Sequence, residues 1–388
     1  MIRSFAALDL PEGPALQHQP ILDLPLHPGP GLPDAIVAIP LRDEAAFLPA
    51  CLAALAGQRE AEGLAVLLLL NDCRDGSAAI ARDWAPRLPF PLRLCEVSLP
   101  PAARHVGEAR GQALDAAALW LEAEGPPAAA EALLLTTDAD SRVAPDWLQA
   151  TRQAIRAGAD AVAGQVDYAL DEDPTLPPAL AQRLRLEARY AGLLARIDSL
   201  GDPVPQDPWP RHRMASGASL ALTLAAYRRI GGLPRLAVGE DRALANAVLD
   251  AGLRLRHAPS VRAVTSCRRA GRAAGGAAAT LALWTAQPGL PGDAALEMPG
   301  AALRRALLRG RARRAHAAGA LAGLAAPLRL PAATLAALQP RPFSAAWRRL
   351  EALAPVLAAR PLPPALLSQA ILAAQALLAR RGRAQASR

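Results

Sequence analysis

A doubly wound α/β fold, with a mostly parallel sheet and helices on both faces, is what this chain predicts, and three observations carry the prediction. Apolar-rich segments that read as strands recur at 34–40 (DAIVAIP), 64–70 (LAVLLLL) and 92–97 (LRLCEV), the second of them continuously apolar. Helical patterns separate them, giving a strand–helix alternation. The runs do not alternate polar with apolar, so each strand is expected to be buried on both faces, as in parallel pairing. A fourth run at 131–137 (EALLLTT) ends in Asp138-Ala139-Asp140, and ligands in open α/β sheets sit beyond the carboxyl ends of the strands.

The elements follow in order. Residues 1–33, rich in Pro and Leu without a clear period, read as an extended arm. Arg42-Asp43-Glu44 is expected to open a helix through Phe47, Leu48, Leu52 and Leu55 that Gly57 ends. The second strand turns at 71–77 (NDCRDGS) into a helix reaching Trp84, and 105–124 forms the next helix. Pro145 sits in the first turn of a further helix, where proline is tolerated. Residues 159–166, 216–223 and 253–265 read as strands, and 176–200 as a long helix. The segment 201–213 is a loop stiffened by four prolines. Beyond Gly276 the pattern is helical at 277–286, 300–324, 343–359 and 364–381. Three parts result: an arm over 1–33, an α/β domain over 34–276, and a helical basic appendage over 277–388.

The composition is that of a globular chain, 52% apolar and 20% charged in 388 residues. Every basic residue is Arg. An Ala-, Arg-, Gly- and Pro-rich chain reflects GC-rich codons, so the basic balance is no sign of nucleic acid, and no nucleic-acid partner is expected. The charge is uneven. From Pro299 onward fifteen Arg face one acid, Glu351, a net +14 against +8 for the whole chain, so the remainder carries −6. The basic tail is expected either to meet an anionic membrane surface or acidic partner, or to present solvated helix faces. Cys51, Cys73, Cys95 and Cys267 lack metal or disulfide spacing and fit buried thiols in a reducing compartment. With no signal pattern and no run of about 18 apolar residues, a cytoplasmic protein is expected, or one peripheral at the inner face of the membrane.

The chemistry-bearing residues cluster at the strand ends. Asp138 and Asp140, two apart on one turn, can face a single hard cation and the phosphate oxygens that it bridges; a helix cap and a solvated turn residue are the alternative. Pro40, Arg42 and Glu44 end the first strand, with Asp43 a candidate N-cap. Asp72 at the second strand end can accept from a nucleobase N–H, whereas Asp75 suits an Asx-turn. Arg110, early in its helix, can fork onto phosphate or ribose oxygens or pair with Asp115 or Glu108. Asp241 can take a proton from a hydroxyl nucleophile, with Glu240 against the acceptor; both also favour a helix N-terminus electrostatically. Arg268, Arg269 and Arg272 follow the last strand among glycines, as a phosphate cradle or a solvated basic loop. Trp209, with His212 and Arg213, and Gly217 line the expected acceptor side, and a buried structural Trp is the alternative. The other histidines show no ligand spacing.

The order IPLRDE, LLNDCRDGS, GEARGQALDAA, LLLTTDAD, SGASLALTLAAYRRIGGLP, GEDRALANAVLDAG, over about 35–276, resembles the family 2 glycosyltransferases of GT-A fold. The resemblance implies a Rossmann-like GT-A domain and inverting transfer of a hexose-like sugar from a nucleotide diphosphate to an acceptor hydroxyl, with Mg²⁺ or Mn²⁺. It implies Asp140 as metal ligand, with Asp138 beside it near the ribose. Asp241 matches the base, and Pro40, Arg42, Glu44, Asp72, Arg110, Asp138, Arg268 and Arg272 match donor-binding positions. Relatives often have Asn-Glu where this chain has Asp43-Glu44, and a Gln/Arg-x-x-Arg-Trp motif whose Trp is missing here. Two other readings compete. A nucleotidyltransferase shares the carboxylate pair, but IPLRDEAAF lacks the glycine-rich phosphate loop it would want. A non-catalytic nucleotide-binding relative would not need Asp138, Asp140 and Asp241 together.

Overall fold

The computed structural model describes residues 22–23, 32–124, 131–271 and 275–386. Nearly all of the arm over 1–33, and Arg272, lie outside the described residues. The strands are β1 (Leu22–Asp23), β2 (Ala35–Leu41), β3 (Leu64–Asn71), β4 (Leu92–Val97), β5 (Leu133–Thr136), β6 (Ser141–Val143), β7 (Ala161–Tyr168), β8 (Leu220–Thr223) and β9 (Leu255–Thr265). Among the described residues they form one sheet, in the order β1-β4-β3-β2-β5-β8-β7-β9-β6. The central pairings β2–β3, β2–β5 and β3–β4 are parallel, as is β7–β9; β1, β6 and β8 pair antiparallel. The parallel registers are the longer ones, so the expected α/β architecture holds.

The apolar runs do what their pattern requires. In β2 the side chains alternate between two cores: Val37 and Ile39 pack with α1 (Leu48–Ala56), α2 (Ser77–Trp84) and α4 (Trp147–Arg156), whereas Ile36 and Ala38 pack with α3 (Val106–Glu124), α6 (Leu224–Arg229) and α7 (Glu240–Asp250). A sheet sandwiched in this way has only its strand ends free for chemistry.

One expected helix start is corrected. Residues 42–47 form turns, and α1 begins at Leu48. Asp43 adopts a left-handed φ of 53°, so it does not cap the helix. Its carboxylate instead accepts from the Arg74 N–H at 2.6 Å, while Glu44 N–H donates to Ser77 Oγ at 2.9 Å and Ala45 N–H to Asp75 Oδ2 at 2.9 Å. The first two strand-end turns are thereby latched to each other, and that long-range latch outweighs local helix propensity.

The helical C-terminal part is docked rather than detached. It comprises α8 (Ala277–Ala286), α9 (Pro299–Ala317), α10 (Ala325–Leu328), α11 (Ala332–Leu338), α12 (Phe343–Leu353) and α13 (Leu367–Ala386). Helices α9 and α13 share a core with α5 (Pro178–Gly201), where Tyr190, Leu194 and Ile197 meet Ala302, Leu367 and Ile371. Part of the tail's positive charge is answered within the chain: Asp202, 1% exposed, takes Arg309 and Arg313, and Arg305 pairs with Glu297 and Glu351. No helix among the described residues is long and apolar enough to cross a membrane.

Candidate active site

The acids singled out in the sequence converge around one arginine. Arg110, on α3, is 2% exposed, and its guanidinium donates in three directions. Nε reaches Glu240 Oε1 at 3.2 Å, Nη2 reaches Asp138 Oδ1 at 2.6 Å, and Nη1 is shared between Thr136 Oγ1 at 2.8 Å and the Gly217 carbonyl at 3.0 Å. Asp241 joins from the other side of Gly217, whose N–H donates to Asp241 Oδ2 at 3.2 Å. The end of β5, the loop before β8 and the start of α7 are thus tied to one buried fork.

Two glycines make this junction possible. A Cβ on Gly217 would lie 2.4 Å from Arg110 Nη2, and one on Gly107 would lie 1.9 Å from the Leu236 carbonyl, just before α7. The GEARG stretch is therefore the face on which the 233–240 segment rests. Gly239, at φ 77°, turns the chain into α7, whose first two residues are Glu240 and Asp241.

Arg110 and Glu240 sit differently from their expected roles. The Arg110 fork is taken up by Glu240, Asp138, Thr136 and the Gly217 carbonyl, not by Asp115 or Glu108. Glu240, 5% exposed, faces that fork rather than an acceptor. Burial raises its carboxyl above the ordinary range, with Arg110 offsetting part of the effect. Arg110 itself is held above its ordinary value despite burial, because Asp138 and Glu240 surround it.

Asp140 is the second focus. Its Oδ2 accepts from Ser266 Oγ at 2.6 Å and pairs with Arg268 Nη2 at 3.0 Å. Burial first, and then the neighbouring Asp138 charge, raise its carboxyl above the usual range; Arg268 and Ser266 pull the other way. Arg268 in turn forks onto both oxygens of Glu44 at 2.7 Å each, with its guanidinium carbon 5.1 Å from the Phe47 ring centre. Glu44, Asp140 and Arg268 are therefore one cluster at the carboxyl ends of the strands.

The remaining expected positions divide. Asp72, at φ 50°, accepts from Ser98 Oγ at 2.6 Å and pairs with Arg104 at 3.0 Å. Close by in sequence, buried Asn71 Oδ1 and Arg42 Nε have no hydrogen-bond partner among the described residues. Pro40 lies in β2 with its side chain buried. Trp209 is 43% exposed and stacks on Arg196 of α5 at 4.8 Å, and its loop is anchored by Asp207 to Arg256 and His257 on β9. Residue 217, not Trp209, is the part of the acceptor-side stretch that touches the acids. Ser266, Thr136 and Phe47 belong to the site without having been singled out; the first two sit at strand ends beside the motif residues, a positional signal, and Phe47 gave none.

A divalent cation fits the donor set at Asp138 and Asp140. Among the described residues no three His, Cys, Asp or Glu side chains are grouped to hold a metal unaided. A cation on a diphosphate needs only one or two carboxylates, since phosphate and water oxygens complete its shell. Burial and then the Asp138 charge lift the Asp140 carboxyl, and a cation there would relieve the second of these.

The Glycosyl transferase family 2 model matches residues 36–202. That segment is similar to family 2 of the glycosyltransferases. It holds Glu44, Arg110, Asp138 and Asp140, while Gly217, Asp241 and Arg268 lie beyond it. A comparison with curated proteins finds no match. Among solved structures, S. aureus TarS is 16% identical over 60% of this chain with a TM-score of 0.37, and the chain spans 35% of its length. The mannosyltransferase PcManGT from Pyrobaculum calidifontis, in complex with GDP-Man and Mn²⁺, is 19% identical over 84% of this chain and 88% of its own, with a TM-score of 0.43. S. aureus TarS 1–349 in complex with UDP-GlcNAc is 16% identical over 82% of this chain and 90% of its own, also at 0.43.

Proposed function

We propose that the chain is a hexosyltransferase-like family 2 enzyme that moves a sugar from a nucleotide-diphosphate donor to an acceptor hydroxyl with inversion. The observation that carries this reading is the convergence of Asp138, Glu240 and Asp241 on the Arg110–Gly217 junction, within a fold whose first half matches the family.

In this reading Asp241 is the base. The acceptor oxygen forms its bond to the anomeric carbon while its proton passes to the Asp241 carboxylate, and the carbon–phosphate oxygen bond breaks on the opposite face. Asp140 and Asp138 would hold Mg²⁺ or Mn²⁺, which would supply positive charge to the leaving diphosphate. Arg268 adds a second cation on the donor side, and Arg272 is its proposed companion. Pro40, Arg42, Asn71 and Asp72 line the nucleoside position, where the unpartnered polar atoms of Arg42 and Asn71 suit a base edge. Arg110 and Glu240 hold the acids in place from beneath. Gly217, with Trp209 further out, borders the acceptor. The protein acts in the cytoplasm, and the arginines of the tail left outside the internal pairs are offered to a membrane surface or acidic partner.

The test is calorimetric titration with uridine, guanosine and thymidine diphosphates, with and without Mn²⁺. One of them is expected to bind more tightly with Mn²⁺ in the wild type, and Asp140→Ala is expected to abolish that gain. Metal-independent binding in both proteins contradicts the donor reading.

A further inference from the structure

Arg268 stands where two carboxylates of the proposed donor site would otherwise face each other. Glu44 comes from the turn after β2, Asp140 from the turn after β5, and Arg268 from the end of β9. All three side chains are largely buried, at 9%, 13% and 22% exposure. A guanidinium shared by two desolvated acids balances charge that such a pocket cannot leave to water.

The sharing is unequal. Arg268 holds Glu44 by a two-point fork, Nη1 to Oε2 and Nη2 to Oε1, both at 2.7 Å, but holds Asp140 by one contact of Nη2 at 3.0 Å. Releasing Asp140 breaks the single contact and leaves the fork intact. Asp140 also keeps its orientation without Arg268, because Ser266 Oγ donates to the same Oδ2 at 2.6 Å. The Phe47 ring beneath the guanidinium holds its plane during such a shift.

We propose that Arg268 is a displaceable internal cation: it occupies Asp140 in the ligand-free chain and transfers to the diphosphate when a divalent cation takes Asp140. This deepens the reading of the donor site and rests on it. Metal and Arg268 compete for one carboxylate oxygen, while diphosphate and Arg268 attract each other. The device keeps free metal off an empty site and couples metal binding to donor binding. A guanidinium that merely clamps two turns together acts on the two ligands only through its charge, which Arg268→Lys retains.

The experiment uses the full chain with Arg268→Gln, Arg268→Lys and, as a charge-matched control, Arg254→Gln at the exposed Asp160 pair on the opposite end of the sheet. Circular dichroism and thermal unfolding check that each variant folds. Mn²⁺ alone is titrated by the paramagnetic resonance of the free ion, and uridine and guanosine diphosphate are titrated separately in chelator by calorimetry. Arg268→Gln is expected to bind Mn²⁺ about tenfold more tightly and metal-free diphosphate about tenfold more weakly. Arg268→Lys, which keeps the charge and loses the fork, falls between, and Arg254→Gln matches the wild type. The proposal is overturned if Arg268→Gln fails to gain Mn²⁺ affinity, whether both proteins bind equally or neither binds. It is also overturned if metal-free diphosphate binding stays at the wild-type level. If wild type binds no diphosphate at all, the donor reading fails separately, and the Mn²⁺ titration still decides whether Arg268 competes with metal.

Discussion

Asp138 and Glu240, about a hundred positions apart in the sequence, share the guanidinium of Arg110 at 2.6 and 3.2 Å. Removing one partner of a buried charge cluster leaves the others unpaired, which costs more than the pair itself contributes. Arg110→Met is therefore expected to lower stability by about 3 kcal/mol, read by denaturant unfolding. Arg110→Lys keeps the charge without the three-way fork and should lose less stability but still misplace the acids. Equal stability in Arg110→Met and wild type contradicts the bracing role.

Gly217 tests the same junction without touching a charge. Its missing Cβ is what lets Arg110 approach while its N–H meets Asp241. Gly217→Ala is expected to reduce sugar transfer at least about tenfold, with donor affinity nearly unchanged. A fully active Gly217→Ala places the acceptor chemistry elsewhere.

The pH dependence of stability separates two groups with opposite signs. Asp140 has a folded pKa raised above its ordinary 3.8, so its contribution is complete below that value and is lost as pH rises through the folded pKa. Asp140→Asn is accordingly expected to be more stable than wild type at neutral pH, with the difference vanishing in acid, a cost of keeping a functional carboxylate desolvated. His212 runs the other way. Burial and then His257 push it from 6.5 down to about 4, so its contribution is complete above 6.5 and is lost as pH falls toward 4. His212→Gln should flatten that part of the acid limb in thermal unfolding. An unchanged limb removes His212 from the account.

Removal of 299–388 is expected to abolish soluble expression. It would uncover Tyr190, Leu194 and Ile197, worth about 1.5–3 kcal/mol each when buried, and strip Asp202 of Arg309 and Arg313. A soluble, cooperatively folding 1–298 fragment shows instead that the helices are an independent attachment.

The contrast with the sequence has a physical pattern. Strands β2 and β3 were legible because burial on both faces imposes continuous apolar runs, and 92–97 was placed to the residue. The three-residue β6 was missed because its two buried positions make no pattern, and its pairing is supplied by β9. The false helix start at 42–44 came from reading locally what Arg74, Asp75 and Ser77 settle from another turn. Asp138, Asp140 and Asp241 were legible as types at strand and helix ends. What Arg110 and Glu240 face was not, since their contact spans 130 positions and no local spacing encodes it.

The most direct measurement is release of nucleoside diphosphate from a bound sugar nucleotide, followed chromatographically with Mn²⁺ in wild type and Asp241→Asn. With Asp241 as the proposed base, Asp241→Asn should bind donor as wild type does while turnover falls about 10²–10⁴-fold. Equal turnover in the two proteins contradicts the account, because it leaves the acid nearest Gly217 without a part in the transfer.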